Sequence, residues 1–262
     1  MTPEVDPAAH NRAAWDNRVE QDDEWTRPVG ADVIARAARG DWSVVLIGYQ
    51  PAPRDWFPPD LRGVGILCLA SGGGQQAPVL AAAGAHVTVF DNSPRQLEQD
   101  RMVADRDGLS LRTVLGDMRD LSAFPDGSFD LVFHPVSNLF CPELRPVWRE
   151  CYRVLRPGGI LLAGFMNPDL FIFDAEAADT RRELVVRHAL PYADLANLTQ
   201  EERERVFGAN APLEYSHTLA EQIGGQLEAG FLLTAFTEAP HHASITASYM
   251  PGYFATRAIK PD

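Results

Sequence analysis

The chain has 262 residues, 45% of them hydrophobic and 23% charged, with a formal net charge of −13. That length and apolar content suffice for one substantial α/β core with an appended lid and fall short of two full domains. The acidic balance and the lack of a basic run argue against a nucleic-acid footprint, which needs clustered cations against phosphates.

Cys68, Cys141 and Cys151 form no CxxC pair and read as reduced residues of a core or helix. The N-terminus carries Glu4, Asp6 and Asn11 where a signal peptide has cations and then an apolar run, and no apolar stretch is long enough to span a bilayer. The expectation is a cytoplasmic protein, monomeric or homodimeric, with a small-molecule substrate and neither a membrane nor a nucleic-acid partner.

Residues 1 to about 60 are polar, proline-rich and tryptophan-bearing. They read as an N-terminal cap rather than core, with a helix over 7–19 and a strand over 42–47. Trp15 and Trp25 fit either closure over a ligand or anchorage of the cap. From Val64 the pattern predicts strand 64–70, helix 75–83, strand 86–91, helix 94–107, strands 111–116 and 129–134, helix 143–155 and strand 159–165. This βαβ alternation predicts a parallel sheet with right-handed crossovers.

Ile66 to Ala70 is too uniformly apolar to alternate, as in a strand covered on both faces. Gly72, Gly73 and Gly74 then allow a sharp turn and close approach to a ligand. The next helix opens near Gln75 and stops at Gly84, so its N-terminal N–H groups are expected to face an anionic ligand group. Asp91 ends the second strand where a carboxylate accepts from ribose hydroxyls. Asp91-Asn92-Ser93-Pro94 supplies a capping side chain, a role open to Asn92, and a first-turn proline for the helix that follows.

Residues 168–216 interrupt the alternation as a lid-like insertion with two charged helical patterns, Asp174 to His188 and Thr199 to Phe207. Thr218 and Glu221 fit a capping box for a helix ending at Gly230. Strands 231–238 and 252–259 follow, joined by a loop too short for a crossover, and must pair antiparallel. The fold class expected for 61–262 is therefore α/β: a Rossmann-like, doubly wound, seven-stranded sheet, mostly parallel with an antiparallel last strand.

The glycine turn alone also fits G-x-G-x-x-A, with Asp91 about 17 residues on, as in a dinucleotide site. A dehydrogenase would need a second βαβ half, which the closing antiparallel pair does not provide.

In order along the chain stand Leu69-Ala70-Ser71-Gly72-Gly73-Gly74, Asp91, Gly116-Asp117-Met118, Phe129-Asp130-Leu131-Val132-Phe133-His134, and Glu150 to Gly159 ending in Pro-Gly-Gly. This series resembles the class I S-adenosylmethionine-dependent methyltransferases, in particular their small-molecule, type 11-like branch. The sequence departs from that family at Cys68, usually acidic, and at Ala70, usually glycine. The resemblance implies S-adenosylmethionine as cofactor, S-adenosylhomocysteine as product, and a small-molecule acceptor whose reacting atom (O, N or S) stays open. It implies cofactor contacts at Ala70, Ser71, Gly72, Gly73, Gly74, Asp91, Asn92, Asp117, Met118 and His134.

His134, at the end of the fourth strand of this series, is the candidate catalytic residue, as proton acceptor from the methyl acceptor. Trp15, Asn138, Tyr192, Tyr215 and His217 are the candidates for lining the acceptor pocket. His217, His241 and His242 match no zinc spacing, so no metal is expected. Two other readings stand beside this one: a cofactor-binding protein without turnover, suggested by Cys68, and an NAD-dependent oxidoreductase.

Overall fold

A computed structural model of the chain describes residues 5–241 and 244–262. The N-terminal segment contains helix α1 (Pro7–Glu20), helix α2 (Ala31–Ala37) and a hairpin of β1 (Val45–Ile47) and β2 (Gln50–Pro51). Then come β3 (Gly65–Leu69), α3 (Gln76–Ala82), β4 (His86–Asp91), α4 (Pro94–Asp107), β5 (Leu111–Leu115), β6 (Phe129–His134), α5 (Arg145–Val154) and β7 (Leu155–Met166). The chain closes with α6 (Asp194–Asn197), α7 (Gln200–Phe207), α8 (Gly225–Ala229), β8 (Leu232–Ala239) and β9 (Tyr253–Ile259).

Seven strands form one sheet in the order β5-β4-β3-β6-β7-β9-β8. β3 to β7 pair in parallel, whereas β9 runs against both β7 and β8. The expected antiparallel strand is therefore threaded between two strands and does not form the edge. Alternation along β3 divides the core: Ile66 and Cys68 pack on one face, Leu67 and Leu69 on the other, and all four are fully buried. Asp130 of the Phe129 to His134 motif stitches the middle of the sheet, its Oδ2 accepting from Gly65 N at 2.7 Å.

Two expectations are corrected. The first 60 residues are not cap alone: Ile34, Trp42, Leu46, Trp56 and Phe57 are buried in the same cluster as Ile66, Val87 and Leu131. Their apolar side chains close one face of the sheet, so this segment belongs to the core. Asp174 to His188 is not a helix either. A short π-helical turn, Ala177–Arg181, ends where Arg182 takes φ +57°, and Phe173 then bridges Val186. Arg187 joins Asp174 at 3.0 Å and Glu202 at 2.7 Å, tying three parts of the insertion together. The charged run 199–207 does form α7, with a reciprocal capping box between Thr199 and Glu202.

Candidate active site

The chain enters the sheet at β3, moves outward through β4 to β5, and returns to the other side at β6. The carboxyl ends of β3 and β6 thus flank a switch point, the place where open α/β sheets leave a crevice. β3 ends at Ala70, whose φ of +47° is the left-handed conformation that glycine adopts without penalty. The three glycines follow. A Cβ at Gly72 would stand 2.7 Å from the Gln96 side chain, so only glycine admits this path of the turn.

The amides of the turn point at protein carboxylates. Gly72 N donates to Asp91 Oδ2 at 2.9 Å, Gly73 N to Asp100 Oδ2 at 3.1 Å and Gly74 N to Asp100 Oδ1 at 3.2 Å. This corrects the expectation of an anion site at these glycine N–H groups, because buried donors are already satisfied from within. It also answers the absence of an acid at Cys68. Asp100, fully buried on α4, reaches across and holds the turn from the helix side. Burial, and then the neighbouring Asp91, push the Asp100 carboxyl well above the usual carboxylate range. Cys68 is buried beside it, its thiol raised by burial and by Asp100, so no thiolate forms there.

Asp91 accepts from Gly72 N with one oxygen and from Ser93 N, at 2.9 Å, with the other. Burial raises its carboxyl despite these amide donors. Its oxygens keep lone pairs for a further donor, since each carboxylate oxygen accepts twice. Asp117 lies past the end of β5 and forms an ion pair with Arg119 at 2.7 Å. Burial alone would raise its carboxyl, but the Arg119 contacts override this and hold it below the usual range.

These groups open into a cavity of about 640 Å³. Ala70, Ser71, Gly72, Asp91, Asn92, Asp117 and Met118 line it, as do Trp15 of α1 and Ser137. Other expected residues do not reach it. Gly73 and Gly74 are buried behind the turn. Asn92 lines the cavity, but its side chain is spent on α1, donating to Ala8 O at 2.8 Å and accepting from Arg12 NH2 at 3.1 Å.

His134 has zero exposure. Its Nδ1–H donates to Leu69 O at 3.0 Å, and its Nε2 meets the side-chain amide of Asn138 at 2.7 Å. Burial depresses its pKa, so the ring is a neutral strut joining β6 to the end of β3. Neither a base nor a cofactor contact is available from that position. Asn138 is equally buried, passing the chain on to Gln222 at 2.7 Å. Tyr192 donates its hydroxyl to Asp194 at 2.7 Å, and His217 donates from Nε2 to Cys141 O at 2.7 Å, both away from the cavity. Tyr215 stacks on His217 outside it. Among the described residues no group of three or more His, Cys, Asp or Glu is arranged to hold a metal ion, and His242 lies outside the described residues.

In the segment 213–217, where Tyr215 bridges Ala193, Glu214 and not Tyr215 lines the cavity. The sequence carried no mark of that choice. Asp100 and Gln96 did leave a signal: with Leu97, Val103 and Ala104 they form the buried face of α4, and an acid on an apolar helix face needs a partner. The rest of the wall comes from the N-terminal segment and the sheet ends, including Arg18, Trp25, Tyr49, Phe140, Met166 and Tyr253.

Comparison with known proteins decides the family. A family model described as a methyltransferase domain matches residues 67–163. The uncharacterized methyltransferase YbaJ of Bacillus subtilis is 49% identical over 252 residues, covering 96% of this chain and 98% of that protein. The chain belongs to the class I S-adenosylmethionine-dependent methyltransferases. A ubiquinone biosynthesis O-methyltransferase of Xanthomonas oryzae is 29% identical over 137 residues, 52% of this chain and 57% of its own. A crystal structure of an S-adenosylmethionine-dependent methyltransferase from Mesorhizobium loti superposes with a TM-score of 0.59 at 17% identity, over 79% of this chain and 94% of that one. At that identity the likeness concerns the fold, which is the same Rossmann-like sheet with one antiparallel strand.

The cavity of this methyltransferase fits an adenosyl amino acid. Ser71 Oγ and Gln96 Oε1 are buried at its wall with no hydrogen-bond partner among the described residues. Gly116 lies against the Phe90 ring at the cavity wall, where a Cβ would stand 2.2 Å from that ring, so only glycine lets the strand end pass there.

Proposed function

We propose that this cavity holds S-adenosylmethionine together with a small-molecule acceptor and serves transfer of the methyl group between them. The observation that carries the reading is Asp91. It stands at the carboxyl end of β4 beside the switch point, tied to the turn through Gly72 and still able to accept. In this reading the ribose lies on Asp91, the adenine by Asp117 and Met118, and the methionine end along Ala70 to Gly72 with Ser71 Oγ as donor. The cofactor supplies an electrophilic methyl group on a sulfonium.

The protein supplies position and dryness. α1 forms part of the wall, with Trp15 in edge contact with Phe140 at 5.1 Å and the Arg18 guanidinium over the Trp15 ring at 4.8 Å. Aromatic walls of this kind exclude water and align a flat acceptor, and alignment of reacting groups is worth about 7–11 kcal/mol in favourable cases. A small acceptor accords with the net charge of −13, which disfavours nucleic acid. No helix among the described residues is long and apolar enough to cross a membrane.

Calorimetry tests the reading. S-adenosylmethionine and S-adenosylhomocysteine are expected to bind and NADH is not. Asp91→Asn is expected to weaken both nucleosides about a hundredfold, the scale of losing charge-assisted bonds to two hydroxyls. Binding of NADH, or unchanged nucleoside affinity in the variant, would overturn it. Mass spectrometry of metabolite extracts incubated with the protein and methyl-labelled cofactor then reports the acceptor.

A further inference from the structure

Glu214 is held firmly by its backbone while its carboxyl is left open. Its amide donates to Asp194 Oδ2 at 2.9 Å, and its carbonyl accepts from Asp194 N at 3.1 Å. On one side of it, Leu213 is clasped by Asn11, which accepts from Leu213 N at 2.7 Å and donates to Leu213 O at 3.0 Å. On the other side, Tyr215 N donates to Leu139 O at 2.8 Å. Such clamping fixes where the side chain starts.

Four carboxylates line the cavity, and three are taken: Asp91 by the Gly72 and Ser93 amides, Asp117 by Arg119, and Glu24 by the Tyr49 hydroxyl. The Glu214 carboxyl has no hydrogen bond or ion pair among the described residues. It shares the cavity wall with Trp15, Phe140 and Tyr253.

We propose that Glu214 is the proton acceptor of the methyl transfer, serving an O–H or N–H acceptor. This rests on the reading of the cavity as a methyl-transfer site. The acceptor's lone pair forms the bond to the methyl carbon as the carbon–sulfur bond breaks and its electron pair returns to sulfur. The proton leaves the acceptor for the Glu214 carboxylate, so a sulfonium, a neutral acceptor and a carboxylate give a thioether, a methylated product and a carboxylic acid.

The electrostatics suit that task. Burial, and then Asp194, push the Glu214 carboxyl up to about 7, with Arg18 from α1 pulling the other way. Tyr192 and Tyr253 are the other titratable groups that feel it, and burial keeps both phenols protonated at neutral pH. A base that titrates near the working pH is both available and strong enough to matter. A carbon or pre-ionised thiolate acceptor would have no use for it.

The test needs no known acceptor. Sinefungin carries a protonated amine where S-adenosylmethionine has its sulfonium methyl, and so presents a cation and N–H donors at the point of transfer. S-adenosylhomocysteine lacks both. Calorimetry across about pH 5.5 to 8.5 is expected to show the preference for sinefungin over S-adenosylhomocysteine rising roughly tenfold as Glu214 ionises. In Glu214→Gln the preference is expected to be low and flat, with S-adenosylhomocysteine affinity unchanged, and Glu214→Asp is expected to restore part of the pH dependence.

A flat preference in the unaltered protein, or an equal one in Glu214→Gln, overturns the proposal. The unaltered protein's pH profile decides by itself if the variant does not fold. Failure of every nucleoside to bind would instead overturn the reading of the cavity, which separates the two failures.

Discussion

The two halves of the cavity are built on different principles. On the side of β3, β4 and β5, the wall is made of backbone at strand ends and of residues close in sequence, such as Asp91 and Ser93, bonded two residues apart. On the side of α1 and the insertion, it is made of side chains that meet only through the fold, as where Asn11 clasps Leu213 from 202 residues away. The difference teaches where specificity resides. A half whose geometry follows from strand ends suits a ligand common to many proteins, and a half assembled from distant segments is free to vary with the acceptor.

The largest expected effect breaks the first half. Asp100→Ala strips the acceptor from the buried Gly74 N and one of the two acceptors of Gly73 N, which keeps Gln96 O at 3.1 Å, and is expected to cost about 1–3 kcal/mol of stability, measured by chemical denaturation, with cofactor affinity falling alongside. The relocation of the acid sharpens the point. Cys68→Asp alone sets a second carboxyl beside Asp100 and is expected to destabilise, whereas in an Asp100→Ala background it is expected to recover part of the loss. A double-mutant cycle with additive effects would show that the two positions do not share this role.

Breaking the second half should leave the first intact. Asn11→Ala removes three hydrogen bonds, to Phe140 O and to both backbone atoms of Leu213. About 2 kcal/mol of stability is expected to be lost, with hydrogen exchange rising over 211–216 and S-adenosylhomocysteine affinity changing less than about threefold. A large loss of nucleoside affinity would mean that the halves are not separable.

A smaller effect comes from acid. His134 and His217 are both depressed below the ordinary 6.5, first by burial, so each binds its proton more weakly folded than unfolded. Their contribution to stability is therefore complete above that value and is lost as pH falls through the depressed folded values. Melting temperature is expected to drop on acidification below about pH 6.5. His134→Gln is expected to shallow that drop.

The smallest effect concerns Ala70. Glycine there relieves the left-handed conformation, and Ala70→Gly is expected to change stability by no more than about 1 kcal/mol, toward greater stability, because relief and the added unfolded-state freedom oppose each other.

Much of this was legible from local pattern. The uniform apolar run 66–70, the glycine triplet, Asp91 and the short connection before β9 place the sheet and the crevice, because strand burial, turn conformation and loop length are properties of neighbouring residues. The same reasoning failed wherever a side chain's direction depended on remote packing. His134 ends its strand as expected but points into the core, caught between Leu69 and Asn138. Tyr192 and Tyr215 lie in the expected insertion, His217 just past it, and none of the three lines the cavity.

The sequence by itself determined the succession of strands and helices in the βαβ series, the turn and the acid at the end of β4, since each follows from short-range sterics and hydrophobic period. Only the tertiary structure decided that Asp100 replaces an acid at Cys68, that the first 60 residues share the core, and that Glu214 alone of its segment lines the cavity. Those outcomes depend on satisfying buried amides and carboxylates from parts of the chain that no local pattern connects.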